Sequence, residues 1–204
     1  MAEVSRLLAG VDARLRMGED HDGALGLERL RLLYFLTVAD KAFIPVAVQQ
    51  IDALEGTDAP DSVVAPVLEA FRGALEVVRG KHAFWPHDKV GHVRSGLARL
   101  DQVVEIRPRL VEARYLRLLS SFYLPFFFRR GDTVDADMDS LADLLLERPP
   151  RMSAEAYRAV TDFVLDHGKL DPDRKARLSA AFGRLSESPS TFDARMRDVR
   201  PEGE

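Results

Sequence analysis

The chain of 204 residues contains no cysteine. This absence excludes disulfide bonds, thiolate nucleophiles, sulfur-ligated zinc and iron–sulfur clusters. The chain also has no Gly-x-Ser-x-Gly sequence and no Walker-type glycine-rich loop, the signatures of many serine hydrolases and of P-loop phosphate binding. The sequence therefore predicts no cofactor, and a protein that is not an enzyme is the favoured interpretation.

Long apolar runs are absent as well. The longest strongly apolar stretch, residues 122–128, is far shorter than the roughly 20 residues that cross a bilayer. The opening residues 1–8 carry an acid where a secretory signal has its basic region, and no small-residue cleavage site follows. We therefore expect no membrane span and a cytoplasmic protein.

Charge of either sign is moderate overall but unevenly distributed. The net charge is −4, yet residues 81–130 hold ten Lys and Arg against four Asp and Glu, a local net charge of +6. A basic segment inside an acidic protein favours an acidic protein or peptide as partner. The acidic total and the lack of a recognisable nucleic-acid module argue against nucleic-acid binding.

Apolar residues recur at helical spacing along most of the chain. Hydrophobic residues make up 46% and charged residues 30%, as in ordinary folded proteins. No segment shows the two-residue alternation of a half-buried strand. Three helices are bracketed by prolines that cannot continue them, at about 88–107, 110–124 and 136–147. These patterns predict an all-α fold.

Turn residues predict further helix boundaries. We expect Asp22 to cap the second helix, Pro45 to end or kink it and open the next, and Gly80 to end the fourth. Asp171 with the following proline should open the last helix. Residues 1–186 are expected to form a single helical domain, followed by a flexible charged tail at 187–204.

An internal repeat at an offset of 41 residues relates two of the predicted helices. A single helical hairpin cannot bury its apolar face alone, so such self-similarity predicts stacked antiparallel hairpins. The matching pairs are Leu97 with Met138, Leu100 with Leu141, Val103 with Leu144, Val104 with Leu145, Arg107 with Arg148, and Pro108 with Pro149.

The stretch from Gly96 to Tyr123 resembles the junction between two tetratricopeptide repeats, with Pro108 as the terminal proline. It departs from that pattern at Arg114 and Leu118. A further likeness is to a group of small, uncharacterised bacterial tetratricopeptide-like proteins, which implies an α–α superhelix and carries over no activity. The residues of that likeness are Lys81, His82, Pro86, Lys89, Pro108, Glu112, Arg114 and Arg117.

The basic segment predicts a partner-binding groove with aromatic edges. Guanidinium groups grip carboxylates through two parallel hydrogen bonds, which suits an acidic peptide. The alternative is that Arg114 and Arg117 form ion pairs with Glu112, Glu105 and Asp101 between packed helices. The predicted binding residues are Lys81, His82, Trp85, Lys89, Arg94, Arg114, Arg117, Phe126, Arg129 and Arg130.

The aromatic residues near Pro125 have two interpretations. Most of residues 122–128 are expected to lie in the core, because such clusters commonly cap one. If Phe126, Phe127 and Phe128 are instead exposed, they form a contact patch for a partner or a membrane surface.

Three histidines within eleven residues invite a test for metal binding. His82, His87 and His92 follow one another at intervals of five, which turns successive side chains to different sides of a helix. We therefore predict no metal site. The runner-up to an interaction module is a small-molecule binder or enzyme with a pocket near His82, Trp85 and Arg114, and a third class is an architectural subunit.

Overall fold

The computed structural model describes residues 2–20, 23–56, 64–147 and 154–186, and every regular element in these ranges is helical. The all-α prediction is therefore confirmed for the part of the chain that is described. The helices are α1 (Ala2–Arg16), α2 (Ala24–Ala39), α3 (Phe43–Glu55), α4 (Val64–His82), α5 (Pro86–Ile106), α6 (Val111–Phe122), the short 3-10 helix η1 (Phe126–Phe128), α7 (Gly131–Glu147), α8 (Ala154–His167) and α9 (Pro172–Ser186).

The chain forms two compact units, Met1–Ser120 and Ser121–Glu204. The boundary between them falls near the end of α6. The predicted tail, residues 187–204, lies outside the described residues.

Helix α2 is the central helix of the first unit. Its buried positions lie on all sides, because it packs against α1, α3 and α4. A helix that is covered all round shows no single apolar stripe in its sequence. Arg29 joins the three N-terminal helices, since its guanidinium donates to Asp12 of α1 and to Gln50 of α3 at 2.7 Å each.

Helices α4 and α5 form the closest pair in the first unit, and glycines make that approach possible. A Cβ on Gly96 would lie 2.5 Å from the carbonyl oxygen of Gly73 and 2.8 Å from the backbone nitrogen of Val77. Near the other end of the pair, a Cβ on Gly80 would lie 2.9 Å from the carbonyl oxygen of Lys89. The two backbones therefore touch directly, and no side chain fits between them at these points.

A buried ion network connects α2 with α6 inside the first unit. Arg31 binds Glu112 through two parallel hydrogen bonds, Nε to Oε1 at 2.7 Å and Nη2 to Oε2 at 2.9 Å. Its Nη1 also donates to Glu28 at 3.1 Å. Burial acts to lower the pKa of Arg31, but the two carboxylates outweigh it and hold the pKa above its ordinary value.

Tyr34 of α2 is buried beside Ser120, and we expect it to make the fold sensitive to alkali. Burial raises the pKa of its phenol from 10.0 to about 12, partly offset by the Ser120 hydroxyl. Between these two values the unfolded chain binds fewer protons than the folded chain, so stability is full below pH 10 and falls as the pH rises toward 12. The loss should reach about 2 kcal/mol.

Urea unfolding at successive pH values in this interval, followed by circular dichroism, measures that loss. The variant Tyr34→Phe has no phenol to ionise, so its stability should fall less steeply than that of the wild type. Equal slopes for the two proteins would show that Tyr34 is not the group responsible.

The second unit is built on α7, α8 and α9. Its core contains Leu141, Leu145, Tyr157, Val164 and Leu178. The Tyr157 ring stacks on Phe182 with centroids 6.1 Å apart, and its hydroxyl donates to the Leu145 carbonyl at 3.4 Å. Burial raises the pKa of Tyr157. The Arg174 side chain reaches across to Asp139 and Asp143 on α7.

Two predicted helix ends are wrong, and local contacts explain why. Helix α2 ends at Ala39, ahead of Pro45, because Asp40 is extended and its carboxylate accepts the amide of Ala42 at 2.9 Å. Pro45 lies in the first turn of α3, which confirms the prediction that it opens the next helix, as its missing amide allows. Gly80 does not end α4, which continues to His82 because this glycine packs against α5.

The helix caps were predicted with mixed success. Asp22 lies outside the described residues, and Asp20 is the residue whose carboxylate accepts the amides of Leu25 and Gly26 at the start of α2. Asp171 caps α9 as predicted, accepting the amide of Arg174 at 2.9 Å.

Three of the four apolar pairs in the repeat of 41 residues are buried at both positions, and Arg148 and Pro149 lie outside the described residues. Leu97, Leu100, Val103 and Val104 are buried on α5, and Met138, Leu141 and Leu145 are buried on α7. Leu144 is half-buried. The repeat therefore marks the inward faces of two helices.

Candidate functional site

Two of the predicted binding residues cap a neighbouring helix. Lys81 Nζ donates to the carbonyl of Val38 at 2.6 Å, and His82 Nε2 donates to that of Thr37 at 2.8 Å. The last carbonyls of an α-helix have no partner within the helix, and cations are favoured at that end. Lys81 and His82 therefore close the C-terminus of α2.

The turn that follows α4 presents aromatic side chains to solvent. Phe84 is 83% exposed and Trp85 58% exposed, although both are large and apolar. Their rings meet edge to face with centroids 5.1 Å apart, and Trp85 is also stacked on His87, with centroids 6.4 Å apart and an interplanar angle of 24°. The contacts hold Trp85 over the first turn of α5.

The outer face of α5 continues from this turn, and we define Trp85, His87, Gly91 and Arg94 as the Trp85–Arg94 face. His87, Gly91 and Arg94 are exposed and stand at i, i+4 and i+7, so they share one side of the helix. His87 and Arg94 are about 10 Å apart along the helix axis. A Cβ on Gly91 would meet nothing within 4 Å, which leaves the path between them open.

The acid Glu76 on the neighbouring helix binds other side chains and not Arg94. Glu76 of α4 accepts from His92 Nδ1 at 2.7 Å and from Arg79 Nη1 at 2.8 Å. Burial acts to raise the pKa of Glu76, but these two partners outweigh it and lower the pKa. The side chains of Arg94 and Lys89 make no hydrogen bond or ion pair with any described residue.

Arg114 and Arg117 bind other residues of the first unit. Arg117 Nη1 lies 3.2 Å from Asp101 Oδ1, one of the acids with which the alternative interpretation pairs it, and its side chain is 13% exposed. Arg114 Nε donates to the carbonyl of Pro108. Reversing the charge of Arg117 would place two carboxylates side by side and weaken the fold itself, which makes it a poor test of binding.

The second unit carries a separate exposed cluster, which we call the aromatic turn and define as Tyr123, Phe126, Phe127 and Arg129. The three aromatic side chains are 74%, 93% and 60% exposed, in that order. Phe122, in contrast, packs within the second unit. Its ring centroid lies 5.1 Å from that of Phe163 and 4.9 Å from that of His167.

The prediction that most of these aromatics lie in the core is therefore wrong. Helix α6 ends at Phe122, and the η1 turn directs Phe126 and Phe127 away from the second unit. The Arg129 side chain has no hydrogen bond or ion pair with a described residue, whereas Arg130 Nε donates to Ser121 at 3.3 Å.

The structure separates the residues of the suggested small-molecule pocket. Trp85 precedes α5, whereas Arg114 binds Pro108 beyond the other end of that helix. The 21 residues of α5 span about 30 Å, so the two side chains do not line one pocket. His82, His87 and His92 likewise have separate partners in Thr37, Asp88 and Glu76.

Sequence reasoning missed the contribution of His87, Gly91 and Phe84. A signal for the first two was present, because they stand with Arg94 at helical spacing on a different side of the helix from the apolar positions 93, 97 and 100. The exposure of Phe84 had no such signal, since a turn between two helices buries or exposes its aromatics according to what packs over it.

No family model, curated protein or solved structure matches this chain. Among the helices in the described ranges, none combines the length and apolar character that crossing a bilayer requires. The described residues also include no group of three or more metal-ligating side chains arranged around a common point. Function is therefore inferred from the two exposed surfaces.

Proposed function

We propose that this protein is a non-enzymatic interaction module that binds an acidic protein segment on the Trp85–Arg94 face. The observation that carries the proposal is an exposed tryptophan, held by stacking on His87, two helical turns from an arginine with no partner among the described residues. Trp and Arg are the residues most enriched among those that dominate binding energy at protein interfaces.

Shape and charge support a peptide-like partner at this position. The small residues Gly91, Ser95 and Ala98 are exposed beside Arg94, so a chain can lie close along the helix. Residues 81–94 carry Lys81, Lys89 and Arg94 against the single acid Asp88. An acidic segment would place a carboxylate on Arg94 and an apolar side chain on Trp85.

The same proposal includes a tetratricopeptide-like arrangement of the helical hairpins. It is supported by the packing of α1 on α2, α2 on α3, α3 on α4 and α4 on α5, and by the shared burial pattern of α5 and α7. Stacked hairpins of this kind commonly present peptide-binding surfaces.

Trp85 provides a direct test because it is the only tryptophan in the chain. Synthetic peptides rich in Glu and Asp with one apolar residue should change its fluorescence on titration, and peptides of the same design with Lys and Arg should not. Arg94→Glu should weaken binding at least about tenfold, because a carboxylate then faces the acidic peptide. Gly91→Gln should weaken binding as well, because its side chain would fill the open space between His87 and Arg94.

Arg107→Glu is the matched control for this experiment. Arg107 is exposed at the far end of α5, about 20 Å from Arg94, so the same change of charge there should leave peptide affinity unchanged. If Arg94→Glu binds acidic peptides as tightly as the wild type while both variants remain folded, the Trp85–Arg94 face is not the binding site.

A further inference from the structure

The aromatic turn of the second unit is an ordered feature. Successive backbone hydrogen bonds hold it: Leu124 to Ser121 at 3.2 Å, Phe128 to Pro125 at 3.0 Å and Arg129 to Phe126 at 2.9 Å. Phe126 and Phe127 therefore remain exposed because the backbone around them is fixed, and not because a helix end has frayed.

Arg129 adopts an unusual backbone conformation in this turn. Its φ angle is +53°, and it is the only residue other than glycine with a positive φ in the described part of the chain. A side chain in the left-handed region is disfavoured, so the surrounding turn must hold it there. The result is a guanidinium, without a side-chain partner among the described residues, placed directly after three phenylalanines.

The charges of the segment are of one sign. Residues 121–131 contain two arginines and no acid, and the first carboxylate afterwards is Asp132 in α7. The Trp85–Arg94 face differs, because Asp88 lies 3.2 Å from His87 within it. The aromatic turn thus combines exposed aromatic rings with the positive charge of Arg129, whose side chain has no hydrogen bond or ion pair with a described residue.

We propose that the aromatic turn adsorbs to an anionic lipid surface. Aromatic side chains favour the interface between water and acyl chains, and each nearby arginine is attracted to anionic headgroups. Side chains exposed to 93% and 74% project into solvent, which suits a deformable surface better than a rigid partner. This inference concerns the second unit and does not rest on the acidic-segment site.

Co-sedimentation of the full chain with lipid vesicles tests the proposal. The protein should sediment with vesicles of phosphatidylcholine and phosphatidylserine in equal parts, should stay in solution with phosphatidylcholine alone, and should be released by added salt. Phe126→Ala combined with Phe127→Ala should reduce the bound fraction at least about fivefold, because the inserted apolar surface is removed. Arg129→Asn should reduce it as well, since asparagine tolerates the left-handed conformation.

Ile106→Ala is the control for apolar surface, because Ile106 is 64% exposed and lies in the first unit. This variant should bind vesicles as the wild type does. Both aromatic substitutions remove exposed side chains, so the thermal unfolding curves of all variants should coincide within a few degrees.

A relocated tryptophan identifies the surface that meets the lipid. The variant Trp85→Phe with Phe126→Trp carries its sole tryptophan in the aromatic turn, and its emission should shift to the blue with anionic vesicles only. Absence of sedimentation with phosphatidylserine vesicles would overturn the proposal. So would sedimentation that survives Phe126→Ala with Phe127→Ala, or a reporter that responds to acidic peptides and not to vesicles.

Discussion

Replacement of Arg31 by methionine should lower the free energy of unfolding by about 3–5 kcal/mol. Arg31 is the cation shared by Glu112 and Glu28 in the first unit. Without it, Glu112 loses the cation that binds both of its oxygens, where water cannot replace it, and an uncompensated buried charge is among the most destabilising defects a fold can carry. Urea denaturation followed by circular dichroism at neutral pH measures the loss.

A double replacement separates the ion network from simple packing. Arg31→Met combined with Glu112→Leu removes the buried pair together and leaves only Glu28, which is 14% exposed, without its contact to Arg31. Apolar substitutes for a whole buried pair are often neutral or better, so the double variant should recover most of the stability lost by Arg31→Met. A double variant less stable than Arg31→Met would mean that Glu112 has another essential contact.

Gly96→Ala should cost about 3 kcal/mol, although alanine is the better helix former. The added methyl group would lie 2.5 Å from the carbonyl oxygen of Gly73 and 2.7 Å from Val77 Cγ2. The backbone atom cannot turn aside as a flexible side chain would, so α4 and α5 must move apart. Thermal and urea unfolding of the variant give the magnitude.

Gly91→Ala makes the same chemical change on the same helix in open space. A Cβ there has nothing within 4 Å, so the variant should be more stable than the wild type by up to about 1 kcal/mol. If the two substitutions change the free energy of unfolding in opposite directions, contact between the helices, and not helix propensity, decides the effect. A loss at Gly91 as large as that at Gly96 would contradict this.

Much of the fold could be read from the sequence because its signals are local. The apolar spacing predicts the helices, and Asp171 with Pro172 marks the start of α9 because a cap needs only neighbouring amides. The predicted end at Gly80 failed for the opposite reason. Glycine commonly ends a helix, but here its missing side chain allows α5 to approach, and that contact between two helices leaves no signal in the residues next to Gly80.

The candidate sites were also only partly predictable from local signals in the sequence. The basic segment and its aromatic residues were visible in the composition, but the structure gives the predicted binding residues different local contacts. Lys81 and His82 cap α2, Arg117 pairs with Asp101, and Arg94 and Arg129 make no hydrogen bond or ion pair with a described residue. A positive charge in the sequence does not reveal whether a carbonyl or a carboxylate lies within reach.

The sequence by itself determined that the described chain is helical and, for helices with a single apolar stripe, which face is buried, because both follow from spacing along a single helix. Only the tertiary structure decided how closely α4 and α5 approach, which arginines are consumed in ion pairs, and that Phe126 faces solvent. These outcomes depend on contacts between residues far apart in the chain, and periodicity carries no information about such contacts.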